Sequence, residues 1–174
     1  MKDAMLHTKP RNLAVVGAIP FVIAIGALST GQTSQPSVLF ATAVFAGVAL
    51  VLCWSWVIGH ALNALVDPSR RPARGAFRAA VLFSAAYCAV FLNLVVGGGG
   101  SVPLQSPIAA FSLHVAAMVA MLKVTHFIGS NLALAENENS AVAEGSPWTT
   151  TLALFSIGGI LPVQRRVNSL FARR

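Results

Sequence analysis

Six polar side chains sit inside or at the margins of long apolar runs in this chain: His60, Asn63, Asn93, His114, Lys123 and His126. A titratable or amide group at membrane depth is costly and is a functional hypothesis by default. If the runs that carry them are helices, a rise of about 1.5 Å per residue sorts the six into two layers. His60, Asn63, Lys123 and His126 fall toward one face, and Asn93 with His114 toward the other. Neither layer contains a carboxylate. That argues against a paired-carboxylate hydrolase in the membrane and against the usual proton-coupled carrier. His114 and His126 are about 18 Å apart along one helix axis, too far to share an ion or a haem iron. His60 with His126 could ligate one metal or haem. The plainer reading makes both neutral, hydrogen-bonded interhelical contacts, with Lys123 snorkelling to the headgroups. No serine among Ser55, Ser84 and Ser112 has a catalytic setting. Cys53 and Cys88 lie inside apolar runs and read as packing residues, not as a disulfide or zinc site. No catalytic, cofactor-binding or metal residue is therefore assigned, no cofactor is expected, and enzymatic activity is disfavoured.

The elements that must position these residues follow from composition. The chain has 174 residues, of which 56% are hydrophobic and 10% charged, against about a quarter charged in soluble domains. Val38–Val66 contains no Asp, Glu, Lys or Arg and exceeds the roughly 20 residues a bilayer-crossing helix needs. The spacing of apolar runs predicts an all-α integral membrane bundle forming one domain over residues 1–174. Its spans are expected at 13–30, 38–66, 77–96 and 107–128. A further apolar segment at 148–163 re-enters, lies at the interface or forms a fifth span, and a basic tail covers 164–174. The first run contains Pro20 and also loosely resembles a cleavable signal peptide ending at Ala27-Leu28-Ser29; an uncleaved span is the favoured reading. Trp54 and Trp56 lie too deep for an aromatic belt and are expected to pack between helices. Ala43 and Gly47 form a small-xxx-small pair that could admit a neighbouring helix. Gly97 to Gly100 lack the setting of a phosphate-binding loop and read as a turn.

Charge fixes the orientation. The formal net charge is +7 from 12 Lys and Arg against 5 Asp and Glu. The basic residues cluster between apolar runs, which points to anionic lipid headgroups as partner and away from nucleic acid. Arg70, Arg71, Arg74 and Arg78 are the expected lipid contacts. With four spans and a non-crossing fifth run, the N-terminus, the arginine loop, the glutamate-bearing segment after Ile128 and the tail all share one side, and both external loops are uncharged. Positive residues favour the cytoplasm, so the N-terminus is expected there. A crossing fifth run would carry Arg165, Arg166, Arg173 and Arg174 outside.

The run Gly158-Gly159-Ile160-Leu161-Pro162-Val163-Gln164-Arg165-Arg166-Val167-Asn168 resembles the tail of a set of small bacterial multi-span inner-membrane proteins. Those end in a Gly-rich apolar stretch followed by a Gln, a basic residue, an apolar residue and an Asn. A proline commonly follows their glutamine, where this chain has Arg165. The resemblance implies no activity. It implies that Gln164, Arg166 and Asn168 form a polar C-terminal motif packed on the cytoplasmic end of the bundle; an ordinary basic anchor at the headgroups is the alternative. The expected function is that of a small polytopic inner-membrane protein, a non-catalytic accessory or assembly subunit with a membrane-protein partner or a second copy of itself. A small-solute or ion transporter using the polar layers is the alternative.

Overall fold

The computed structural model describes residues 38–96, 107–139 and 160–172, with isolated positions at 12, 19–20, 22–23, 25–26, 146–147, 150–151 and 154. Among the described residues the regular structure is helical throughout. Helix α1 spans Val38–Leu65, α2 Arg74–Val96, α3 Pro107–Asn139 and α4 Ile160–Ala172. Stretches of α1, α2 and α3 (Thr42–Leu65, Arg74–Asn93 and Ile108–Asn137) are long and apolar enough to cross a membrane. The expected first span at 13–30 is described only at a few helical positions, including Ile19, Pro20, Val22 and Ile23. The turns expected before Val38 and between Val96 and Pro107 fall outside the described residues.

The connection between α1 and α2 is set by its prolines. Pro68 disfavours helical backbone at Asp67, and the chain turns there: the Asp67 side chain accepts from the Ser69 N–H at 2.8 Å, and Arg70 N–H donates to Asp67 O at 3.0 Å. Arg71 then folds back over the end of α1, donating to Val66 O at 2.7 Å and Ala64 O at 3.1 Å. A cation on the last carbonyls of a helix satisfies orphan acceptors and opposes the negative end of the helix dipole. After Pro72 and Ala73, α2 begins at Arg74, earlier than the expected Phe77.

The first three helices pack on one another pairwise, and α4 packs on α3. Their shared core sits at one end. It runs from Leu52 to Val66 on α1, over Phe77, Ala80 and Val81 on α2, from Ala120 to Ala135 on α3, and over Val163, Val167 and Leu170 on α4. Away from that end the bundle presents bare apolar side chains. Ile108 is 78% exposed and Phe111 69%, and on α2 Leu82 is 64% exposed and Phe91 53%. So much outward apolar surface suits hydrocarbon and not water.

Two glycines permit close approach. A Cβ on Gly59 would lie 2.6 Å from the Phe77 ring, which also stacks on Phe127 with centroids 4.3 Å apart. Gly59 lets that ring lie against the backbone of α1. A Cβ on Gly129 would meet Pro147 O at 2.7 Å, so the chain ahead of α4 crosses α3 there.

Two expectations need correction. The fourth apolar run does not end its helix at Ile128; α3 continues to Asn139. The buried positions Ile128, Asn131, Leu132, Ala135 and Glu136 keep the spacing of three and four that holds one helix face inward. The basic tail expected at 164–174 is helical where it is described: residues 164–172 make up most of α4. Its buried positions Val163, Gln164, Val167 and Leu170 form an amphipathic stripe. At 13 residues α4 is too short to cross a bilayer. Most of the expected segment 148–163 lies outside the described residues.

Candidate functional site

The polar side chains gather where the C-terminal halves of α1 and α3 meet the start of α2. Asn63 is at the centre, with no solvent exposure. Its Nδ2 donates to Asn131 Oδ1 at 2.9 Å and to Pro72 O at 3.1 Å, and its Oδ1 accepts from Arg74 Nε. Asn131, equally buried, donates its own Nδ2 to Phe127 O at 2.7 Å. One amide therefore ties α1 to α3, to the start of α2 and to the proline that precedes it. Each of its hydrogen-bonding atoms is engaged, as a buried amide requires.

One turn deeper, Arg78 Nε donates to His60 Nε2 at 3.3 Å. Arginine cannot surrender its proton, so Nε2 is the acceptor and the proton of a neutral imidazole sits on Nδ1. That nitrogen is buried without a hydrogen-bond partner. The ring stacks on Trp56 with centroids 4.6 Å apart and leans against Phe77 at 5.5 Å. Among the described residues no group of three His, Cys, Asp or Glu side chains comes together as a metal cradle.

The remaining members of the expected layers separate. His126 meets Ser130 on its own helix at 3.4 Å, and Lys123 is exposed. Of the inner four, Asn63 and His60 engage arginines of α2, and Asn63 pairs with Asn131 and not with Lys123 or His126. In the outer layer His114 Nδ1 is 2.8 Å from the Tyr87 hydroxyl, joining α3 to α2. Asn93 is exposed.

The C-terminal residues dock on the same end of the bundle. Gln164 is fully buried; its Oε1 accepts from Trp54 Nε1 at 2.8 Å and its Nε2 donates to Asn168 Oδ1 at 2.8 Å. Trp54 belongs to the apolar heart of α1, where an indole N–H without an acceptor would be costly. Arg166 grips Glu136 in a fork, with Nε at 2.7 Å from Oε1 and a second contact from Nη2 to Oε2, and donates from Nη1 to Thr150 at 2.9 Å. Of the four arginines expected at lipid, Arg71 caps α1 and Arg74 holds Asn63, while Arg70 and Arg78 stay exposed.

Sequence reasoning missed Asn131, Glu136 and Thr150. Asn131 lies four positions after Phe127, on the inward face of α3, and Glu136 lies four after the buried Leu132. Extending the helix past Ile128 would have found both. Among the described residues these features define a helical bundle with three helices fit to span a membrane, bolted at one end by amides and arginines. No family model, curated protein or solved structure matches the chain.

Proposed function

We propose that the chain is a multi-pass protein of the bacterial inner membrane with a cytoplasmic N-terminus, four spans and a C-terminal segment that re-enters or lies at the interface. Its role is that of a non-catalytic accessory or assembly subunit. The observation that carries this reading is how the polar groups are used. Asn63 with Asn131, Tyr87 with His114, Arg78 with His60 and Trp54 with Gln164 each join two helices. Such pairs fix helix register and leave little polar capacity for a passing solute. The exposed apolar flanks of α2 and α3 remain for lipid or a partner helix. The orientation rests on charge: the arginine turn and the Arg166–Glu136 contact lie at one end, which positive residues draw to the cytoplasm.

Reporter fusions at Gln35, Ser101, Asn139 and Arg174 test the topology; a periplasmic Arg174 would overturn it. Extraction in mild detergent should recover a stoichiometric membrane partner; a clean monomer or homo-oligomer alone would count against the accessory role. A chain that is monomeric and alone, and that supports solute flux in liposomes lost in His60→Ala and Lys123→Ala, would replace this reading with a transporter.

A further inference from the structure

We infer that Arg74 and Arg78 clamp the phosphate of an anionic phospholipid whose acyl chain lies along Leu82, Ala86 and Val90. This rests on the reading of α1 to α3 as membrane spans. The two arginines stand one turn apart on α2. Each spends its Nε on α1: Arg74 on the Asn63 side-chain oxygen, Arg78 on His60 Nε2 at 3.3 Å. His60 and Asn63 are themselves one turn apart, so two rungs hold the guanidiniums side by side. Their terminal nitrogens bond no protein group among the described residues.

Among the described residues the pair also has no carboxylate partner. Glu136 is committed to Arg166, and Asp67 accepts from Ser69 beside Arg70 and Arg71. Two permanent cations one helical turn apart, each tied to α1 at the mouth of a span, call for an anion with several oxygens, and phosphate matches the arginine fork. The same line of α2 identifies the source. Beyond Arg74 and Arg78, every fourth residue is exposed and apolar: Leu82 at 64%, then Ala86, then Val90 at 38%. From Arg78 to Val90 is about 18 Å of helix, close to half of a hydrocarbon core about 30 Å thick. A free phosphate would use only the first two positions; a phospholipid in one leaflet uses all five. Basic pockets between spans at the cytoplasmic face are where acidic headgroups bind.

Native mass spectrometry of the full chain in mild detergent tests this, with phosphatidylglycerol, phosphatidylcholine or inorganic phosphate added separately. Phosphatidylglycerol should be retained in preference to phosphatidylcholine. Arg78→Gln should cut its retention roughly tenfold, while Arg165→Gln, at an exposed arginine of α4, should not change it. Equal retention of the two lipids, or unchanged retention by a folded Arg78→Gln, overturns the inference. So does inorganic phosphate that binds as well and displaces the lipid. Should Arg78→Gln lose its helical circular dichroism, Arg78→Lys decides: it keeps the charge without the fork and should retain less lipid than the parent, and equal retention overturns the clamp. Release of the parent chain from membranes by alkaline carbonate would instead overturn the membrane reading itself.

Discussion

Asn63 on α1 and Asn131 on α3 share a 2.9 Å amide hydrogen bond with no exposure at either residue. The bond is the hinge-pin of the polar end, because Asn63 also serves Pro72 and Arg74. Replacing Asn63 with Leu keeps the volume but strands Asn131 Oδ1, the Pro72 carbonyl and a guanidinium N–H. The cost should be about 1–3 kcal/mol. Asn131→Leu should cost less, since it strands one donor of Asn63 and frees Phe127 O. In a double-mutant cycle the coupling should fall in the range of about 0.6–1.7 kcal/mol found for polar pairs between membrane helices. Reversible unfolding in detergent measures all three; additive losses would show that the two amides do not support each other.

Gly59 and Gly75 offer opposite outcomes for one substitution. Gly59→Ala sets a methyl against the Phe77 ring, which cannot retreat because it is buried at 1% exposure and stacked on Phe127. Overpacking of that kind costs about 1–3 kcal/mol, against a helix-propensity gain of up to about 1 kcal/mol. A net loss is expected, and Phe77→Leu in the same chain should recover part of it. At Gly75 a Cβ meets nothing within 4 Å, so Gly75→Ala should raise the melting temperature slightly. Both are read from thermal unfolding followed by circular dichroism.

The contrast between those glycines marks what a sequence of this kind discloses. The extent of α1 was plain from its uninterrupted apolar run and from Asp67-Pro68, because a helix in hydrocarbon can be recognised by composition alone. The same is true of α2 once Pro72 is taken as the stop before it. The length of α3 was not: Ser130, Asn131 and Asn137 look like loop residues, and only the burial of Asn131, Leu132, Ala135 and Glu136 reveals an inward stripe. The helix at the C-terminus was masked by its arginines, although Val163, Val167 and Leu170 keep helical spacing. The packing pair Ala43 and Gly47 drew attention, and both are buried. A close approach on α1 lies at Gly59 as well, four residues after the buried Ser55 and four before Asn63. Which amide meets which cannot be read from spacing within one helix, because it depends on the register between two.

Asp67 gives a pH test outside the spans. Hydrogen bonds from the Ser69 hydroxyl and the Ser69 N–H, with Arg70 and Arg71 nearby, hold its carboxyl below the ordinary value of 3.8. A depressed folded-state pKa means that the turn is supported at full strength above the ordinary value. The support is lost as pH falls from there through the lowered value. Amide exchange at Ser69 and Arg70 should therefore speed up below about pH 4 relative to the rest of the chain, after correction for the intrinsic rate. Asp67→Asn should abolish that step. A step that persists in the variant would assign it to another group.

Glu136 and Arg166 decide whether α4 stays docked. Their side chains are 9% and 23% exposed, and Arg166 also bonds Thr150 on the segment that crosses Gly129. Removing one partner of a buried pair can cost about 3–5 kcal/mol, and partial access of solvent to Arg166 brings the expectation to about 1–3 kcal/mol. The loss should be local, because the rest of the core is built by α1 to α3. Arg166→Gln or Glu136→Gln should thus speed tryptic cleavage of α4 at Arg165 while α1 to α3 stay protected. Gln164→Leu should act in the same direction by leaving the Trp54 N–H without its acceptor, and Trp fluorescence should shift with it. The exchanged pair Glu136→Arg with Arg166→Glu should regain part of the protection. Cleavage that is equally fast in the parent chain would mean that α4 is not held by these contacts, and that the end of the bundle is closed by apolar packing alone.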